Sequence, residues 1–392
     1  MRKRALFIVA AGTVIAGTLA TSGTAFAAEA YVVGVSAAMT GRGSGGYAPV
    51  VEAMKLYIKG VNARGGVNGH PVRILVRDNQ AQPAKGAADA KRFINQEEMH
   101  LLINSSLSST YAPMIAEARK RRVPLLFAGG VCPKDVYPPA DPLLACSTAY
   151  AANLDGRFAV DFIRSQAKGP IKLGLVSMAI PISRAEVDGA GRYAKSLGIE
   201  VVANEAVPPP TPDYAPFATK LISAGANWVY SWAPWVTQVK TFEALRKLGW
   251  KGRFVAYAHL NAEEELKRIK DPGLIVYGAN ALFQDDLPIH RQIRAAYAES
   301  NAKYPVTFFA EGWIAGMTIE GIFKNVAWPA TREKVAAALN ALDVDLKGLR
   351  GGRLSWTKDN HFRLRHYYRV YRWDDAKGAI VGVKDWTGVD IR

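Results

Sequence analysis

Tyr31-Val32-Val33-Gly34-Val35-Ser36 is a short, almost wholly apolar run. Behind it Val50, Met54, Tyr57 and Val61 recur at helical spacing until Arg64-Gly65-Gly66 stops the pattern. Residues 72–76 are compact and apolar again. The stretch therefore reads as strand, helix, strand. Outward from it the same alternation continues: a helix over 83–96, a strand over 100–104, a helix over 112–121 and a strand over 124–127. Strand–helix alternation is the signature of a parallel sheet covered by helices on both faces.

A second series begins after about Tyr150. Helices are expected over 153–166, 186–197, 214–224 and 236–248, with strands over 171–176, 200–206, 228–232 and 253–256. Pro208-Pro209-Pro210 breaks the chain between them. The tail differs, with helices expected over 288–304, 309–326 and 332–342 and then strands over 351–355 and 366–373. A helical block followed by strands implies a chain that revisits earlier sheets. The expected fold class is α/β, built from two Rossmann-like units in tandem.

The bulk numbers agree with a globular two-domain chain: 392 residues, 49% apolar and 21% charged. Arg2, Lys3 and Arg4 precede an apolar run over 5–20, and Ala25-Phe26-Ala27 reads as an A-x-A cleavage site. Residues 1–27 are thus expected to be a signal peptide, removed on export to the periplasm. No cysteine stands at the cleavage site, which excludes a lipid anchor there. Cys132 and Cys146 are the only cysteines. In an oxidising compartment they are expected to pair, the alternative being two buried free thiols.

The net charge is +16, or about +13 without the three leader charges. Export removes nucleic acid as an expected partner. The basic residues are dispersed, either as a solvated surface or as a field that draws in anionic solutes.

Ligands of open α/β sheets bind where loops leave the carboxyl ends of strands. The first such loop is Met39-Thr40-Gly41-Arg42-Gly43-Ser44-Gly45-Gly46-Tyr47. It matches GxGxxG by letter, but the acid expected about 20 residues on is absent and so is GxxxxGK[ST]. It is read as ligand contact or as a flexible turn. Ser105-Ser106-Leu107-Ser108-Ser109-Thr110 puts hydroxyls and amides at a helix start, which suits a carboxylate or simple capping. Gly129 and Gly130 let backbone approach a ligand, or form an ordinary turn. In the second unit the strand ends carry Ser183, Trp232, Trp235 and His259. The two tryptophans either wall the ligand or pack in the core.

Catalytic patterns are poor. HExxH, GxSxG and zinc-like Cys/His spacings are missing, and the six histidines are scattered. No enzyme activity, cofactor or metal is expected. Glu263-Glu264-Glu265 reads as the acidic first turn of a helix.

These segments together resemble type I periplasmic binding proteins of the leucine/isoleucine/valine-binding class. The carriers are Met39-Thr40-Gly41, the helix stop Val61-Asn62-Ala63-Arg64-Gly65-Gly66-Val67-Asn68-Gly69, Asp78-Asn79-Gln80 with Pro83, Ser105 to Ser109, and Val123-Pro124-Leu125. The resemblance implies two lobes joined by a three-segment hinge. Lobe one would take 28–149 and 282–350, and lobe two 150–281 and 351–392. It implies a monomeric substrate-binding component of a branched-chain-type ABC importer, delivering a small ligand to permease subunits. Ligand contacts are then expected from Thr40, Gly41, Tyr47, Ser108, Ser109, Gly129, Gly130, Tyr150, Ser183, Trp232, Trp235 and His259.

Departures from the amino-acid-binding pattern bear on the ligand. Gly130 or Val131 stands where a threonine holds the carboxylate, and Val236-Thr237-Gln238 replaces the segment that offers an acid to the ammonium. A buried ammonium without a carboxylate costs several kcal/mol. An aromatic or other apolar carboxylate is therefore favoured over a branched-chain or other apolar amino acid, unless Asp285 or Asp286 supplies the charge. Readings of another class are a sensory ligand-binding module and an exported enzyme.

Overall fold

The computed structural model describes residues 29–41, 43–151 and 153–391. The expected leader, residues 1–27, lies outside them. The first half runs β1 (Tyr31–Ala37), α1 (Ser44–Ala63), β2 (Val72–Asp78), α2 (Pro83–Gln96), β3 (Leu101–Ser105), α3 (Tyr111–Arg121), β4 (Leu125–Phe127) and β5 (Leu144–Cys146). The second runs α4 (Asp155–Gln166), β6 (Lys172–Met178), α5 (Pro181–Ser196), β7 (Glu200–Val207), α6 (Ala215–Ser223), β8 (Trp228–Trp232), α7 (Trp235–Lys247), β9 (Arg253–Tyr257), α8 (Ala262–Ile269) and β10 (Leu274–Gly278). The tail adds α9 (Pro288–Ala298), α10 (Ala310–Lys324), α11 (Arg332–Leu339), β11 (Asp343–Asp345), β12 (Arg353–Ser355), β13 (Arg365–Asp374) and β14 (Ala379–Asp390).

The first five strands form one parallel sheet, ordered β2-β1-β3-β4-β5. All seven residues of β1 are buried. Alternate side chains feed two cores: Tyr31, Val33 and Val35 pack with α1 and α10, while Val32 packs with Phe93, Met114 and Phe127. The second sheet is ordered β14-β13-β10-β9-β8-β6-β7. Its first five strands in chain order are parallel, and β13 and β14 close one side antiparallel.

The tail returns as expected. Ala310 to Ile319 are all buried, because this helix is apolar all round and is wrapped by lobe-one elements. Its approach to α1 needs glycine: a Cβ on Gly312 would lie 2.1 Å from the Val50 carbonyl oxygen.

The passage to the second sheet comes later than the boundary at 350/351 expected from the sequence. β12 pairs with β11, Leu354 and Trp356 join the core of β1 and α10, and Phe362 joins that of β4 and β5. The apolar side chains of this segment find their partners on the first sheet, so residues 353–362 stay with it. β10 and β14 lie outside the expected elements. The acidic run at Glu263 opens α8, as read.

Candidate site between the two sheets

In each sheet the chain leaves its first strand to one side and then crosses to the other: β1 lies between β2 and β3, and β6 between β7 and β8. The loops after β1, β3, β6 and β8 therefore flank topological switch points, where such sheets bind ligands. The three chain crossings meet beside them. Arg350 donates from Nε to Asn280 Oδ1 (2.9 Å), from Nη1 to the Ser147 carbonyl (2.8 Å) and from Nη2 to Glu311 Oε1 (2.7 Å). One guanidinium thus ties together residues from all three crossings.

On the lobe-one side the loop after β1 is held by a carboxylate. Asp78 accepts from the backbone of Met39 (3.0 Å) and Thr40 (3.2 Å) and from the Thr40 hydroxyl. Burial pushes the Asp78 pKa up, but these hydrogen bonds outweigh it and hold the carboxyl below its ordinary value. The Thr40 hydroxyl, expected at the ligand, is exposed and engaged by Asp78. Gly41 is exposed with a φ of 71°, and a Cβ there would meet nothing within 4 Å. Ser109 donates to the Ala81 carbonyl at 3.3 Å, which ties it to the loop after β2. Ser108 is exposed at the start of the same turn.

Tyr47 packs within lobe one. Its ring packs against Gly43 and Gly130, and Gly130 is also pressed against the Tyr111 hydroxyl, which a Cβ would meet at 2.4 Å. Gly129, at a φ of 77°, turns the backbone here. The Tyr111 hydroxyl donates to the Val131 carbonyl at 2.8 Å. Burial raises the phenols of Tyr47, Tyr111 and Tyr150, and Tyr47 and Tyr150 both add to the rise at Tyr111. Tyr47 and Tyr111 therefore meet over Gly130.

On the lobe-two side Tyr150 stacks on Tyr257 at 5.2 Å and meets His259 through a 2.9 Å hydrogen bond. His259 Nε2 lies 2.7 Å from the Ala233 carbonyl. A carbonyl only accepts, so Nε2 carries the proton, Nδ1 is the acceptor and Tyr150 is the donor. Trp232 packs edge-on to Tyr150, and its Nε1 donates to the buried Asp155 carboxylate at 2.9 Å. Trp232 is 4% exposed and braces Tyr150 from behind.

Two expected contacts belong to the scaffold. Ser183 is fully buried, accepts from the Met178 N–H (2.9 Å) and donates to the Trp232 carbonyl (2.6 Å), so it pins two strand ends. Trp235 is buried in the core of β8, β9, α6 and α7.

Burial pulls the His259 pKa down to about 4, against an opposing pull from the Ala233 carbonyl. Its ordinary value is about 6.5. The folded state therefore favours the neutral ring, and the unfolded chain binds more protons between these values. This contribution is complete above about pH 6.5 and is lost as pH falls towards 4. Urea melts of the native protein are expected to shift to lower midpoints across that window. His259→Gln is expected to lose less over the same interval, and an equal loss would remove His259 as a cause.

The sequence missed the acid at the centre. Glu311, in the first turn of α10, is 3% exposed and lines a small hollow with Tyr150, His259, Asn280 and Thr307. The available signal was a lone acid at the head of an apolar helix, a position where a charge is kept only with a partner. Asp285 and Asp286 are engaged elsewhere: Asp285 accepts from Arg369 and Tyr371, and Asp286 from Arg291 and Arg294. A larger groove along α5 and β7, lined by Asp188, Arg192 and Lys195, is shallow and sits on the outer edge strand, away from the crossings. Among the described residues no group of three or more His, Cys, Asp and Glu side chains could hold a metal. Among them, too, no helix is long and apolar enough to cross a membrane.

A curated "Amino acid binding protein" of Pseudomonas aeruginosa is 21% identical over 322 residues, covering 80% of this chain and 82% of that one. A branched-chain amino acid ABC transporter protein of Thermus thermophilus, solved with bound valine, superposes with a TM-score of 0.79 at 18% identity, over 92% of this chain and 97% of that one. A solute-binding protein of an ABC transporter from Rhodopseudomonas palustris BisB5, in complex with 3,4-dihydroxybenzoic acid, gives 0.75 at 17%, over 92% and 98%. The model of the family described as "Periplasmic binding protein" matches residues 30–379. With one parallel and one mostly parallel sheet, three crossings and that match over most of its length, the chain belongs to the periplasmic binding protein family.

Proposed function

We propose that the chain is the exported solute-binding component of an ABC importer of the branched-chain amino acid type. It captures a small carboxylate with an aromatic or apolar body between its lobes and hands it to permease subunits as a monomer. The leader-like sequence of residues 1–27 supports export to the periplasm. The observation that carries the reading is the hollow lined by Tyr150, His259, Asn280 and Glu311, in which Tyr150 stacks on Tyr257 and bonds His259. Aromatic walls suit a flat or apolar body. Ser108 and the backbone of Gly129 and Gly130 offer the carboxylate its donors from lobe one. Closure about the crossings is driven by contacts made only in the closed form.

A thermal-shift screen of benzoate-type acids against leucine and valine tests this. A ligand at about 100 times its dissociation constant adds about 2.7 kcal/mol of stability. Benzoate-type acids are expected to stabilise more than either amino acid. Stabilisation by leucine or valine alone would replace the aromatic reading with the amino-acid one. Turnover of any screened solute would replace both with an enzyme.

A further inference from the structure

We propose that Glu311 Oε2 accepts a hydrogen bond from a hydroxyl group of the ligand, so that the captured solute is a hydroxylated carboxylic acid. The inference rests on the cleft being the binding site and adds the chemistry of the bound group.

Glu311 has one engaged oxygen and one bare one. Oε1 accepts from Arg350 Nη2 at 2.7 Å and from the Asn280 side chain. Oε2 is buried and has no hydrogen-bond partner among the described residues. A buried acceptor left unpaired is costly, and more so when it is ionised. The residue that carries it is 3% exposed and faces a hollow shared by both halves: Tyr150 from the first crossing, His259 from lobe two, and Asn280 from the second crossing. The Tyr150 hydroxyl already donates to His259. A donor for Oε2 is therefore missing among the described residues, at a place where a guest would complete it.

The charges around Oε2 decide what kind of donor fits. An ammonium would be the obvious partner of a free carboxylate. Glu311 is not free: the Arg350 guanidinium already neutralises it. A second buried guanidinium, Arg363, donates to the Thr148 carbonyl that Arg350 also reaches. Burial pulls Arg363 down to about 9, which leaves it charged at neutral pH. A ligand cation would thus be buried beside two arginines, next to a carboxylate that is already paired, at a steep desolvation cost. A ligand carboxylate would meet the bare oxygen of Glu311 as a like charge. A neutral hydroxyl avoids both penalties and forms a charge-assisted bond of the strong kind.

The test uses two matched sets of ligands on the full mature protein, by calorimetric titration. The aromatic set is benzoate, 3-hydroxybenzoate and 4-hydroxybenzoate. The aliphatic set is 4-methylpentanoate, 2-hydroxy-4-methylpentanoate and leucine. In whichever set binds, a hydroxylated member is expected to bind about tenfold or more tighter than its unsubstituted parent. Glu311→Gln keeps an oxygen for Arg350 and turns the bare acceptor into a donor. It is expected to abolish the hydroxyl preference, read as the ratio of hydroxylated to parent affinity within the variant itself, with the fold checked by circular dichroism.

Equal affinity for hydroxylated and parent acids in the native protein overturns the proposal whether or not the variant folds; Oε2 then holds only a buried water. Leucine binding tighter than its hydroxy analogue overturns it in favour of an ammonium. A hydroxyl preference seen only in the aliphatic set upholds it while the aromatic reading of the body fails. Binding of neither set removes the carboxylate reading and this inference together.

Discussion

Arg350→Met is expected to destabilise the protein by about 3–5 kcal/mol, read as a fall in the urea midpoint, because it leaves a buried carboxylate without its counter-charge. Arg350 is 2% exposed and Glu311 3%. The guanidinium also donates to Asn280 and to the Ser147 and Thr148 carbonyls, so four acceptors each lose a donor at once, although Asn280 still reaches Glu311 and Arg363 still reaches Thr148. The decisive control is Arg350→Met with Glu311→Leu. Removing both charges leaves nothing ionised in the hollow, and the double variant is expected to recover a large part of the loss. A single-variant loss below about 1 kcal/mol would show that water reaches the pair and screens it. Ligand affinity is expected to fall as well, since the same side chain joins the three crossings about which the lobes move.

Removing the Cys132–Cys146 disulfide is expected to cost about 3 kcal/mol, from the closure entropy of a loop with a sequence separation of 14. The bond is formed in the structure, as the exported context implied. Both sulfurs are buried with Val136, Leu144 and Phe362, and each touches the Thr148 hydroxyl. The loop it closes joins the Gly129–Gly130 turn to the first crossing at Ser147 to Tyr150. Cys132→Ala with Cys146→Ala is expected to melt at a lower denaturant concentration than the native protein. Reductant is expected to lower the native protein to the same level and to leave the variant unmoved. A native protein indifferent to reductant under unfolding conditions would contradict this.

The regular elements were legible where periodicity is local. α2 and β8 match their expected limits, because Pro83 marks a helix start and 228–232 is a compact apolar strand. β14 was not legible: Gly382, Lys384, Asp385 and Gly388 interrupt it, and it exists by pairing with β13 at a sheet edge. The later passage to lobe two was hidden for a related reason. Trp356 and Phe362 carry no mark of which sheet they will pack on.

The candidate site divides in the same way. Glycine at 129 and 130, Tyr47, Tyr150 and His259 were legible as residues at strand ends. Thr40, Ser109 and Ser183 were legible too, but their hydroxyls bind Asp78, Ala81 and the Trp232 backbone. A hydroxyl at a strand end satisfies whichever acceptor the fold brings nearest, and the sequence does not say which that is.

By itself the sequence determined the α/β class, the doubling of the unit and the family resemblance. Each of these depends on residue spacing within about thirty positions. Only the tertiary structure decided that Glu311, Asn280, Arg350 and Ser147 meet, although more than two hundred positions separate the most distant of them. Buried charge is sustained only by a partner at contact distance, and contact across three separate crossings is a property of the folded chain alone.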